Sequence, residues 1–211
     1  MRAFGYDIDQ LVIAHVLLAV VPVLVGLLVA LPLGWWAHRS RPARRVLVPL
    51  SGALYTVPSL ALIVFIPVVL GTPILSPVNV GITLTVYTVA LLVRSVAEAL
   101  DAVPDTITTA AIAVGYRSAG LLFGVQLPLA VPVLTAGLRV ASVSAFSLVT
   151  VGALVGIPSL GTLMTDGFQQ DYTAMVVTGI VGSVVLAFLF DALWLALGRS
   201  LTPWTRARTG V

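Results

Sequence analysis

The sequence predicts an all-α, polytopic transmembrane protein with five membrane spans, on three observations. The mean hydropathy is +1.12. Only 9% of the 211 residues are charged, against roughly 25% in soluble domains. Most of those charges sit in short gaps between apolar runs, each long enough to cross about 30 Å of hydrocarbon, which takes about 20 helical residues. The length holds five or six crossings with short connections and no sizeable soluble domain, so residues 1–211 read as one transmembrane domain.

Each span is bounded by flanking charges or turn residues. Residues 11–37 are apolar apart from His15 and run into a loop carrying Arg39, Arg41, Arg44 and Arg45. Residues 46–70 contain no charge and read as a single second crossing that ends in the Gly/Pro/Ser turn of 71–77. Residues 79–100 return, with Arg94 and Glu98 four positions apart near the end, a spacing that lets them pair on one helix face. Residues 129–152 form the fourth span. A loop over 156–172 follows, bearing Asp166 and Asp171 but no Arg. Residues 173–197 form the fifth, ahead of Arg199, Arg206 and Arg208. On this layout Arg39, Arg41, Arg44, Arg45, Arg117, Arg199, Arg206 and Arg208 share one side, and only Arg2 lies on the other. The positive-inside rule then puts the N-terminus outside and the C-terminus inside. The first residues are net acidic and no small-residue cleavage site follows the first span, so no cleaved signal peptide is expected.

Composition also excludes chemistry. There is no cysteine, so neither a disulfide nor a thiolate metal site can form. All eleven basic residues are Arg, which removes Schiff-base lysines and the phosphate-binding G-x-x-x-x-G-K-[ST] loop. The chain is therefore expected to need no cofactor, and any ATP would be bound by a partner. No H-E-x-x-H, paired carboxylates or Ser-Lys combination marks an enzyme. His15 has no second ligand beside it and reads as an interfacial residue rather than a metal site. The pI near 9.8 follows from the Arg-bearing loops without a nucleic-acid partner.

Residues 101–128 are the exception to the greasy pattern. Asp105 after Pro104 is placed to cap a helix over about 106–114, which Gly115 stops by taking a positive φ. Ser118 is placed to cap a second short helix that ends before Pro128. The expected result is a helix-turn-helix too short to span, with Ala110 and Ala111 leaving one face almost bare of side chain. The residues alone leave two readings open: reception into a groove of a partner, or a helix lying on the lipid headgroups.

The spacing in this segment resembles a known pattern. Thr109-Ala110-Ala111, three residues, Gly115, nine residues, Val125, one residue and Leu127-Pro128 match in every interval the cytoplasmic loop of bacterial ABC importer permeases, which reads E-A-A, G, I and L-P. Thr109 stands where that pattern has Glu, and Val125 where it has Ile. Loss of the Glu charge implies a weaker or rearranged docking on the ATPase. Leu54-Tyr55-Thr56-Val57-Pro58-Ser59-Leu60-Ala61-Leu62, the run from Leu127 through Pro132 to Arg139, and Gly156-Ile157-Pro158-Ser159-Leu160-Gly161 are similar to permeases of the glycine betaine, carnitine and choline uptake branch.

The resemblance implies the type I ABC importer permease fold and a multi-pass protein of the bacterial plasma membrane. It further implies a cytoplasmic ATPase dimer, a second permease, identical or paralogous, and a separate substrate-binding protein, since the chain stops at Val211. Coupling would run through Thr109, Ala110, Ala111, Gly115, Val125, Leu127 and Pro128. The substrates implied are quaternary ammonium osmoprotectants.

A weakly polar route is then expected near Tyr55, Thr56, Pro58 and Ser59, where Pro58 frees a backbone carbonyl. The competing reading has Thr56 and Ser59 bonded to their own helix and Tyr55 as an interfacial anchor. Arg139 falls about 16 Å into the fourth helix, deep enough to demand a partner, and Asp191 is the acid at similar depth. These two are expected to be neighbours. The alternatives are a permease of a methionine-type amino-acid importer, which shares the fold, and a small secondary transporter.

Overall fold

In the computed structural model, which describes residues 2, 3 and 5–204, almost every element is helical. A short hairpin of β1 (Arg2–Ala3) and β2 (Tyr6–Asp7) leads into α1 (Ile8–Arg39). Then come α2 (Arg41–Thr56), α3 (Ser59–Leu70) and α4 (Pro77–Asp101). The short α5 (Asp105–Ala113) and α6 (Ser118–Leu121) follow, then a π-helical turn at Leu122–Gln126 and α7 (Leu127–Gly152). A 3-10 turn at Ala153–Val155 precedes α8 (Leu160–Gln169) and α9 (Thr173–Leu201).

The core is the α1–α4 pair, with α7 laid against both and α9 against α7. Leu11, His15, Ala19, Pro22, Gly26, Ala30, Gly34 and Ala37 bury one stripe of α1 at steps of three and four residues. Small residues at every fourth position let two backbones approach, which is how helices associate where lipid supplies no hydrophobic drive. Any side chain at Gly26 would place its Cβ 2.5 Å from Thr88, and at Gly34 2.5 Å from Val96. Phe146 and Val149 of α7 and Leu84 and Val96 of α4 are all fully buried in the core that these helices share.

Among the described residues, α1, α4, the helical stretch Ser118–Val155 and α9 are each long and apolar enough to cross a membrane. The second expected crossing, residues 46–70, is not one helix. It breaks into α2 and α3, bent by 103°. Pro58 has no N–H to continue the ladder and pushes Val57 into extended backbone at φ −65°, ψ 133°. Four spans therefore stand alone, and a fifth exists if the bent pair is counted as one.

Three further expectations need correction. The second short helix does not end before Pro128: α6, the π turn and α7 run on continuously, and Pro128 sits in the first turn of α7. Pro128 has no N–H to give to that continuous stretch, and the wider π turn just before it absorbs the change of register. Asp105 and Ser118 do not cap their helices through their side chains; Pro104 and Arg117 hold the N-cap positions. Asp105 instead adds its charge to the first turn of α5. The connection over 156–172 is not a loop but contains α8, started by a capping box in which Ser159 and Thr162 satisfy each other's backbone. Gly115 does take the expected positive φ, +97°. Arg206 and Arg208 lie outside the described residues.

Candidate functional site

The segment between α4 and α7 stands at one end of the bundle, away from the β-hairpin. Its N-terminal anchor is Val103, which is buried. Two polar links tie its flanks to the end of α1. Arg39 donates to Ser118 Oγ at 3.1 Å. Asp101 receives His38 Nδ1 at 2.6 Å and also Arg44, so one carboxylate joins the ends of α1 and α4 to the start of α2. A carboxylate in that contact can only accept, which places the proton on His38 Nδ1.

Of the motif residues, Thr109, Ala110 and Gly115 are exposed, whereas Ala111 turns inward and is buried. Val125, Leu127 and Pro128 are half-buried at the root of α7. The segment is not bare of side chain: Ile107, Ile112, Val114, Tyr116 and Phe123 are all exposed on it. Phe123 and Val114 were legible as apolar residues, but their outward direction depends on the turn at Gly115 and on the π turn. Inside the segment, Gly124 lies under the Tyr116 ring, where a Cβ would come within 3.2 Å.

At the break between α2 and α3 lies a cavity of about 430 Å³ lined by Tyr55, Ser59, Tyr87, Ser144 and Ser147 together with the apolar Val57, Val143 and Leu148. The Tyr87 hydroxyl donates to the Val57 carbonyl beside the proline, satisfying a backbone acceptor at the break. Tyr55 and Tyr87 meet edge to face, with ring centres 5.7 Å apart and planes at 77°. Of the four route candidates, Tyr55 and Ser59 line the cavity and Pro58 makes the break. Thr56 does not join them, because its hydroxyl donates back to Ala53 O at 2.7 Å. Tyr87, Ser144 and Ser147 escaped the sequence reading. The serines were visible as polar letters in an apolar run; a lone Tyr in α4 carried no signal.

Arg139 and Asp191 meet in a two-pronged pair between α7 and α9, Nε to Oδ1 and a terminal guanidinium nitrogen to Oδ2, both at 2.7 Å. Asp191 also lines an apolar cavity of about 490 Å³ that shares Val143 and Ser147 with the first. Arg94 and Glu98 pair at 2.7 Å on an exposed helix face. His15, expected at the interface, is fully buried instead. Its Nε2 donates to Phe146 O at 3.1 Å and its ring stacks on Phe146, because α7 packs over α1 at that depth. Its Nδ1 is buried without a hydrogen-bond partner among the described residues. No group of three His, Cys, Asp or Glu side chains among the described residues could hold a metal ion.

Long apolar helices packed as a bundle, with an exposed helical segment between two of them, define an integral membrane protein. Residues 23–203 match the family described as binding-protein-dependent transport system inner membrane component, and the chain belongs to that family. Membership makes it a non-catalytic, multi-pass component of the inner membrane. The chain is 31% identical over 182 residues to the glycine betaine/proline betaine transport system permease protein ProW of Escherichia coli K12, covering 86% of this chain and 51% of ProW. It is 35% identical over 160 residues to the ergothioneine transport permease/ergothioneine binding protein EgtU of Helicobacter pylori G27, covering 75% of this chain and 28% of EgtU. Against the glycine betaine/carnitine/choline transport system permease protein OpuCD of Bacillus subtilis 168 it is 28% identical over 200 residues, covering 94% and 86%. The chain thus spans about half of ProW and less of EgtU. A solved structure of the inward-facing MetNI methionine ABC transporter has a chain that superposes with a TM-score of 0.80 at 23% identity, covering 92% of this chain and 95% of that one. At that identity the likeness speaks for the fold alone.

Proposed function

We propose that this protein is the membrane-spanning permease of an ATP-driven ABC importer for quaternary ammonium osmoprotectants such as glycine betaine, carnitine or choline. The observation that carries the reading is the motif of matching intervals, Thr109-Ala110-Ala111 to Leu127-Pro128, on an exposed helical segment that bears several exposed apolar side chains. The identity to permeases named for glycine betaine, choline and carnitine supports the substrate class. In this reading the spans number five, with α2 and α3 as one broken crossing, the N-terminus is outside and the C-terminus inside. Residues 101–128 dock on a cytoplasmic ATPase dimer. A second permease, identical or paralogous, completes the pathway, and a substrate-binding protein delivers the cargo.

The segment transmits force because both its ends are fixed. Its C-terminal end is continuous with α7, and Arg39 and Asp101 clip its flanks to α1 and α2. Nucleotide binding to the partner ATPase favours one of two arrangements of the spans, and differential affinity for the two supplies the drive. Thr109, in place of the pattern's Glu, leaves docking to the apolar side chains around it. The Arg139–Asp191 pair holds α7 to α9 within the membrane and removes an unpaired charge from lipid.

The test is uptake by the chain co-reconstituted with the ATPase and binding protein from its own operon. ATP-dependent accumulation of labelled glycine betaine supports the reading. Accumulation driven by membrane potential without ATP overturns it in favour of a secondary transporter, and ATP-dependent uptake of methionine but no betaine replaces the substrate class. Within this assay, Gly115→Val forces a β-branched residue into φ +97°, a conformation costing such a residue about 1–2 kcal/mol. It should insert normally yet lose uptake, because no neighbour crowds Gly115 and the strain stays in the segment.

A further inference from the structure

We propose that the cavity at the break of the second span is a low-affinity transit site for a quaternary ammonium group, held against the rings of Tyr55 and Tyr87 while Ser59, Ser144 and Ser147 face its polar end. The proposal rests on the importer reading above and deepens it by naming a stopping place inside the permease.

The first support is shape. At Pro58 the chain turns by 103°, and a cavity of about 430 Å³ lies at that turn against α4 and α7. The second is what the aromatic pair presents. The Tyr87 hydroxyl is spent on the Val57 carbonyl, so this side chain offers the cavity its ring. Tyr55 stands nearly perpendicular to it, and together they make two π walls of a corner. The negative faces of such rings attract a cation without hydrogen-bond acceptors.

The third support is a contrast among serines. Ser51, Ser95, Ser183 and Ser200 each donate to a carbonyl of their own helix, the usual way a hydroxyl is satisfied in a membrane helix. Ser59, Ser144 and Ser147 make no such bond and find no protein partner among the described residues, yet all three line this cavity. A hydroxyl facing lipid without a partner is costly, so these three are placed for water or for a ligand carboxylate or hydroxyl.

The absence of charge among the lining side chains decides the ligand class. A primary ammonium would need acceptors for three N–H donors and, at this depth, a carboxylate. A quaternary ammonium has no N–H to satisfy and spreads its charge over methyl groups, so aromatic faces suffice. Without a carboxylate the hold is weak, which suits a site that must release its cargo.

The experiment uses the purified chain in lipid nanodiscs with choline as the probe. Saturation-transfer NMR on the trimethylammonium protons should show contact with the protein, should fall about tenfold in Tyr55→Leu, and should persist in Tyr55→Phe, which keeps the ring. The uncharged carbon isostere 3,3-dimethylbutan-1-ol should show little transfer. Equal transfer from the isostere, or undiminished choline transfer in Tyr55→Leu, overturns the proposal.

A second measurement needs no change at Tyr55. The chain has no native cysteine, so Ser147→Cys gives a unique thiol, and millimolar choline should slow its alkylation by a small maleimide at least twofold. An unchanged rate overturns the site. If the assembled importer takes up glycine betaine while choline leaves that thiol unprotected, only the transit site fails. If the assembly takes up no quaternary ammonium at all, the substrate class of the importer reading fails instead.

Discussion

A guanidinium well inside an apolar helix survives there only by being answered, and Arg139 is answered by both oxygens of Asp191. The pairing was legible because the apolar runs left so few charges at that depth; the two-pronged geometry was not, since it depends on how α7 and α9 cross. Asp191→Ala should lower the melting temperature and the yield of inserted protein, as should Arg139→Ala. The exchanged double variant Arg139→Asp with Asp191→Arg should recover part of both, read by a double-mutant cycle on thermal unfolding. Failure to recover would mean that surroundings other than the partner hold each charge. A second residue-scale link is Tyr6, whose hydroxyl donates to Asp166 in α8. That hydrogen bond, with burial and the nearby carboxylate charge, raises the Tyr6 phenol above its ordinary value of about 10. Because the folded value is the higher one, the stabilisation is fully present below about pH 10 and is lost as pH rises through the raised value. Limited proteolysis near the β-hairpin should therefore accelerate only in strongly alkaline solution, and Tyr6→Phe should erase that step.

Helices in this protein are joined by closeness rather than by interlocking bulk. The α1–α4 contact depends on Gly26, Ala30 and Gly34 lying along one stripe, and Gly34 has Val96 where a Cβ would go. Gly34→Val should separate the pair and destabilise the protein by about 1–3 kcal/mol, the usual cost of overpacking. Gly52→Ala, where nothing lies within 4 Å of the added carbon, should be nearly silent in the same thermal-unfolding assay. The boundaries of elements were read less well than their existence. Pro58 broke a run that composition presented as uniform. Pro128 was read as a stop but sits in a first turn, because the preceding five residues widen into a π turn. Proline alone does not stop a helix in this protein, since Pro22 and Pro32 lie inside α1 and Pro132 inside α7; the backbone around it decides.

For the whole molecule, the charge bias makes one further commitment. The turn between α3 and α4 and the segment holding Thr109 belong to opposite faces of the membrane in the proposed topology. With no native cysteine, single cysteines report this cleanly. Ser76→Cys should react with an impermeant maleimide in intact cells, and Thr109→Cys should react only after permeabilisation. Labelling of both from outside would invert or abolish the orientation and with it any contact between residues 101–128 and a cytoplasmic ATPase.

The sequence alone determined what solvation dictates: hydropathy and scarce charge demand membrane helices, Arg-bearing gaps bias their orientation, and the intervals from Thr109 to Pro128 mark the appendage. These are properties of local chain and solvent, so they survive without any knowledge of contacts. Only the tertiary structure decided which side of each helix meets which neighbour. It buried His15 under Phe146, turned Ala111 inward and Phe123 outward, and brought Tyr87 from α4 to the carbonyl at the break. In a chain so uniformly apolar, periodicity scarcely distinguishes a lipid-facing side from a protein-facing one. That choice belongs to packing, where a missing Cβ or a single hydroxyl outweighs hydrophobicity.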